Sequence, residues 1–147
     1  MEEIIPLISS GTEGPLGVKH LPRLWLKTLL AAVGRLPPGY KDIRPGFDYI
    51  VLEGLNIDPD AARAFITKAR PTYLDFERWI ESRKGVDLSS NNVRNINRAV
   101  VERSKSQASR QSILAENGIP VESGITGSIM LNNLDDWRAL HSTVSQN

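Results

Sequence analysis

Cysteine is absent from this chain and only two histidines occur in it. The first absence rules out disulfides, thiolate zinc sites and a cysteine nucleophile, and the reduced composition fits a reducing compartment. The second means that His20 and His141 cannot build a multi-histidine metal centre from this chain alone. Aromatic residues make up only 6% of the chain, and no apolar run approaches the ~18 residues that cross a bilayer. The densest stretch, Leu24 to Val33, is interrupted by Lys27 and Thr28. An excess of one charge is also missing, because 18 basic residues stand against 17 acidic ones. With 40% hydrophobic residues and so small a net charge, the 147-residue chain has the composition of one folded domain rather than a disordered segment. Its first residues carry Glu2 and Glu3 where a secretory leader needs positive charge, which points to a cytoplasmic protein, and no membrane partner is expected.

Hydrophobic spacing of three and four residues recurs almost everywhere, and it predicts an all-α fold. Gly11, Gly14, Pro15 and Gly17 break regular structure, so residues 1–16 read as a flexible N-terminal arm and 17–147 as a single helical domain. Pro22 suits the first turn of a helix whose stripe is Leu21, Leu24, Trp25, Leu29 and Val33, ended by Gly34. A second helix spans about Phe47 to Leu55. Asp58 and Pro59 open a third, and Thr72 with Asp75 opens a fourth as a capping box. Ser89 or Ser90 caps the longest helix, which reaches about Ser104 and continues, bent, towards Asn117. Val121 to Met130 reads as irregular, and a short last helix runs from about Leu134 to His141 with Asn133 as its cap. The expected architecture is an irregular bundle of five to seven helices. Its expected core is Leu24, Trp25, Leu29, Phe47, Leu52, Phe65, Phe76, Trp79, Ile80, Ile96 and Val100.

Motifs with defined chemistry are mostly excluded. The glycines before Lys19 lack the Gly-Lys-Ser/Thr ending of a phosphate loop, and Asn56, Asp58 and Asp60 lack the glycine and glutamate of a calcium loop. Neither Ser123 nor Ser128 sits in a nucleophile elbow. His20 stands just ahead of a helix N-terminus, whose dipole lowers its pKa and keeps it neutral, as a general base requires; Asp48 is its candidate acidic companion. The plainer alternative is a packed histidine bonded to backbone. Asp135 and Asp136 are either joint ligands of a hard cation or ordinary acids near a helix start, and the second is the simpler account. No cofactor is implied.

Charge is unevenly spread. Residues 83–110 carry a net +5 against −4 for the rest of the chain. On an ideal helix Arg94, Arg98 and Lys105 fall within about 40° of one another, a cationic face that would follow phosphates. The plainer alternative is a solvated face, since the segment has no aromatic platform for bases.

The run Gly17-Val18-Lys19-His20-Leu21-Pro22-Arg23, with Lys27 one turn on, resembles the opening of an uncharacterised bacterial family, a domain of unknown function. Gly46-Phe47-Asp48 leading to Leu52-Glu53-Gly54-Leu55-Asn56-Ile57-Asp58, and Phe76 to Glu81 around Trp79-Ile80, resemble that family's following helices. The likeness weakens past Ser89. It implies a small helical protein and carries over no catalytic residue. The expectation is therefore a non-catalytic interaction or ligand-binding domain, acting on an unidentified protein or small molecule through His20, Arg23 and Lys27. Nucleic-acid binding through Arg94, Arg98 and Lys105, and an enzyme using His20, are the alternatives.

Overall fold

A computed structural model describes residues 2–146. Among the described residues seven α-helices follow in order: α1 (Leu21–Ala32), α2 (Phe47–Gly54), α3 (Pro59–Ala69), α4 (Tyr73–Ser82), α5 (Ser90–Glu102), α6 (Gln107–Glu116) and α7 (Ser128–Val144). A 3-10 turn, Val121–Ser123, precedes the last helix. Among the described residues there is no sheet, and antiparallel pairing is confined to isolated bridges between Glu13 and Lys19 and between Ser104 and Gly127. The chain is all-α, and among the described residues no helix is long and apolar enough to cross a membrane.

Helices α3, α4 and α5 begin where capping chemistry places them. Asp58 accepts from the Asp60 N–H, Thr72 from the Asp75 N–H and Ser89 from the Asn92 N–H, each satisfying a donor that the first helical turn leaves free. Helix α1 packs on α2, α3 and α4, and α2 packs on α3 and α5. Leu21, Leu24, Val51, Leu52, Leu55, Ile66, Phe76, Ile80 and Val100 are fully buried between them. Of the expected core, Trp25, Leu29, Phe65 and Trp79 lie at its margin, partly buried. The Trp25 indole N–H donates to the Pro71 carbonyl at 2.9 Å, and Phe65 stacks on Trp79 at 4.7 Å between centroids.

The second half departs from the sequence expectation in two places. The long helix does not continue to Asn117: it stops at Glu102, and Arg103 takes an extended conformation. The Arg103 carbonyl accepts from the Ser128 N–H at 2.8 Å, and Ser106 then caps a new helix by accepting from the Ser109 N–H. The last helix starts at Ser128 rather than near Leu134, so Asn133 lies inside it and caps nothing. Trp137, on this helix, is exposed. Helices α6 and α7 close a smaller core of Ile113, Leu114 and Leu131.

Residues 2–16 lie along this body. Ile4 N–H donates to the Arg35 carbonyl, and His20 N–H donates to Thr12. Pro6 and Ser10 are buried.

Candidate functional site

Helix α1 begins on His20, whose backbone is left-handed at φ 72, an uncommon conformation for a residue with a Cβ. This places the imidazole beneath the start of α2. Its Nε2–H donates to Asp48 Oδ1 at 2.7 Å, which leaves Nδ1 to accept the Ser10 hydroxyl at 3.0 Å. The ring also stacks on Phe47 at 5.0 Å. Two turns further along α1, Lys27 Nζ donates to Asp48 Oδ2 at 2.9 Å, and the Arg44 backbone N–H donates to the same oxygen at 3.1 Å. All three carboxylate contacts come from groups within or just before α1 and α2, whose close packing gathers them.

Burial governs the protonation of this cluster. It drives the His20 pKa below its ordinary 6.5, and the neighbouring Lys27 and Arg23 charges add to the effect against the pull of Asp48. The helix dipole expected from sequence is not needed to account for a neutral imidazole. Burial alone would raise the Asp48 carboxyl, but the His20 hydrogen bond and the Lys27 charge hold it below its ordinary value. Lys27 is itself lowered, by burial first, although Asp48 works the other way.

Arg23 leaves α1 one turn earlier and reaches α7. Its Nη1 and Nη2 donate to Asp136 Oδ2 and Oδ1 at 2.6 and 3.2 Å. The same Nη1 donates to the carbonyls of Pro6 and Ile8 at 2.8 and 2.9 Å, and Tyr40 donates its hydroxyl proton to Asp136 at 2.9 Å. Arg23 is thus a staple joining the N-terminal segment, α1 and α7, with only 5% of its surface exposed. Asp136, in the middle of α7 rather than near its start, has both oxygens occupied.

Above these two buried networks lies an open cleft of about 450 Å³. His20, Arg23, Lys27 and Asp48 form part of its lining, and the cationic side chains of Lys41, Arg44, Arg103, Lys105 and Arg138 project around it. Glu116 and Asp135 are the acids that accompany them. Among the described residues none of these five cations takes part in an ion pair. Burial lowers the Lys105 pKa, and the adjacent charges of Arg103 and Arg44 lower it further. On α7, burial and the Glu116 charge raise Asp135.

The structure redistributes the residues singled out in sequence. His20, Arg23, Lys27 and Asp48 converge on one cleft. Arg94 and Arg98 are exposed on α5, but Lys105 lies beyond the end of that helix and lines the cleft, so the three do not form one cationic helix face. Asn92 and Asn97 on the same helix donate to the Gly54 and Gly17 carbonyls. Arg44, Arg103 and Arg138 were not singled out for the site; each is an isolated cation in sequence, and only the break between α5 and α6 and the full length of α7 bring them together. The chain matches no protein-family model and no curated protein.

Proposed function

We propose that this protein is a ligand-binding domain for a small, multiply charged anion, which occupies the cleft above His20 and Asp48. One observation carries the reading: five cationic side chains surround a 450 Å³ space and none is paired with an acid among the described residues. Cations gathered at a partly dehydrated surface repel one another, and an anion placed between them relieves that repulsion through charge-assisted hydrogen bonds. Arginine forks suit phosphate oxygens, and the cleft lies within the size range of small-molecule sites, ~300–1,000 Å³.

A non-catalytic role accords with the floor of the cleft. His20 and Asp48 are committed to buried hydrogen bonds, and Ser10, whose hydroxyl bonds His20 as a nucleophile's would, is fully buried and does not line the cleft, so a ligand there does not meet it. Their work is to hold α1 against α2 and so to fix the positions of Lys27, Arg44 and Gly46. The segments that resemble the uncharacterised bacterial family supply this floor, and we read the chain as a cytoplasmic relative of that family with the cleft as its functional centre.

Calorimetric titration of the full chain with inorganic phosphate and with sulfate tests this reading. Saturable binding at one site, weakened by added salt and reduced about tenfold or more by Lys105→Gln, is the expected result. Absence of binding, or binding that Lys105→Gln leaves unchanged, overturns it.

A further inference from the structure

The charge of the cleft can be read more closely. Arg23 and Lys27 are neutralised by Asp136 and Asp48, so the buried floor contributes little net charge. The five remaining cations face two acids, Glu116 and Asp135, which leaves an excess of about three positive charges. A single phosphoryl group carries only about 1.5 to 2 negative charges at pH 7. Two linked phosphoryl groups bring about three, and they present two sets of oxygens to separate guanidinium forks.

Arg103 is placed for the second set. Its guanidinium lies over the Phe47 ring at 5.0 Å and its Nη1 touches Ser128 Oγ at 3.4 Å. A Cβ built on Gly46 would stand 2.9 Å from Arg103 Nη2. Gly46 also has φ 128, where a side chain is strained whatever the space around it. The glycine therefore lets a guanidinium settle directly against the backbone at the start of α2. Stacked on an aromatic ring and held at its edge, Arg103 loses little freedom on meeting a ligand, and both it and Arg44 are near enough to Lys105 for their charges to be felt there.

Resting on the anion-binding reading above, we propose that the cleft selects a diphosphate group over a single phosphate, and that Arg103, admitted by Gly46, is the residue that makes the distinction. Inorganic pyrophosphate is the probe, with inorganic phosphate as its comparison, both titrated into the metal-free full chain. Pyrophosphate is expected to bind at least about tenfold more tightly than phosphate. Arg103→Lys keeps the charge but loses the planar fork; it is expected to bring the two affinities to within about threefold while phosphate still binds. Lys41→Gln, which removes a charge at the exposed rim, is expected to weaken both ligands and keep most of the preference. Gly46→Ala is expected to act like Arg103→Lys, with thermal melts confirming that each variant is folded.

Equal affinities in the unaltered chain overturn the diphosphate inference and leave anion binding standing. A preference that survives in Arg103→Lys overturns the role of Arg103. Failure of both probes to bind overturns this inference together with the reading it rests on.

Discussion

Arg23 and Asp136, 113 residues apart in the chain, meet in a two-pronged ion pair sealed from solvent, with 6% and 4% of their side-chain surfaces exposed. From sequence Arg23 was expected to be a contact for an external partner or ligand. Its burial makes it a staple of the fold. Arg23→Ala would strand the Asp136 carboxylate and take a donor from the Pro6 and Ile8 carbonyls. Breaking one half of a buried pair typically costs about 3–5 kcal/mol, so the variant should lose much of its stability in a urea melt. Replacing both partners, as Arg23→Met with Asp136→Asn, should cost clearly less than Arg23→Ala, because no bare charge is left inside. A single variant as stable as the parent would contradict the staple.

The pH dependence of stability follows from His20. Its folded pKa lies below 6.5, because burial disfavours the imidazolium. The unfolded chain then binds more protons than the folded one as pH falls through 6.5, so stability is lost on acidification in that window. The Asp48 contribution acts lower, since its folded pKa lies below 3.8 and its stabilising charge disappears only as pH falls past that value. Denaturation between about pH 7.5 and pH 5 therefore isolates the histidine. His20→Asn should be less stable at neutral pH and should flatten the dependence; an unchanged slope would sink the assignment.

Gly54 closes the contact between α2 and α5, and here an alanine should act against its usual sign. In a helix interior Gly→Ala ordinarily stabilises by up to about 1 kcal/mol. At this position the added Cβ would stand 2.7 Å from Ile96 Cγ1 and 3.0 Å from Cδ1. Ile96 is itself buried against Val100 and the core, so overpacking of about 1–3 kcal/mol should prevail. Thermal unfolding of Gly54→Ala measures it. The double variant with Ile96→Ala should show a favourable coupling, because the clash and the removed side chain are the same atoms.

How far the sequence reaches is visible in these same residues. Capping side chains act over three or four residues, so Asp58, Thr72 and Ser89 mark their helices without any knowledge of the rest of the chain. The start of α7 was obscured for the opposite reason: its N-cap is Gly127, which has no side chain to mark it. Further along, the inward face carries the charged Asp136 while Trp137 faces solvent. That carboxylate is tolerated inside only because Arg23 arrives from the other end of the chain, and no local window contains both. His20 and Asp48 could be named because their chemistry is conspicuous, but Arg44, Arg103 and Arg138 differ in no local way from solvated cations. Their convergence is a property of the turn at Arg103 and of tertiary packing, which residue spacing does not encode.

Asp135 offers a last test, in which removing a charge should help the fold and the site together. Its carboxyl is raised above the ordinary value, first by burial and next by the Glu116 charge, with Lys105 opposing. A raised carboxylate pKa means that the folded chain holds the proton more tightly than the unfolded one, so ionisation at neutral pH subtracts from stability. Asp135→Asn should therefore melt at or above the parent temperature at pH 7, and the difference should vanish as pH falls below 3.8, where the carboxyl is neutral in both states. The same substitution removes a negative charge from a cleft proposed to hold an anion, so phosphate should bind more tightly to the variant, most visibly at low salt. A variant that melts lower and binds phosphate more weakly would mean that Asp135 supports the cation cluster directly, and the account of a cleft waiting for an external anion would fail with it.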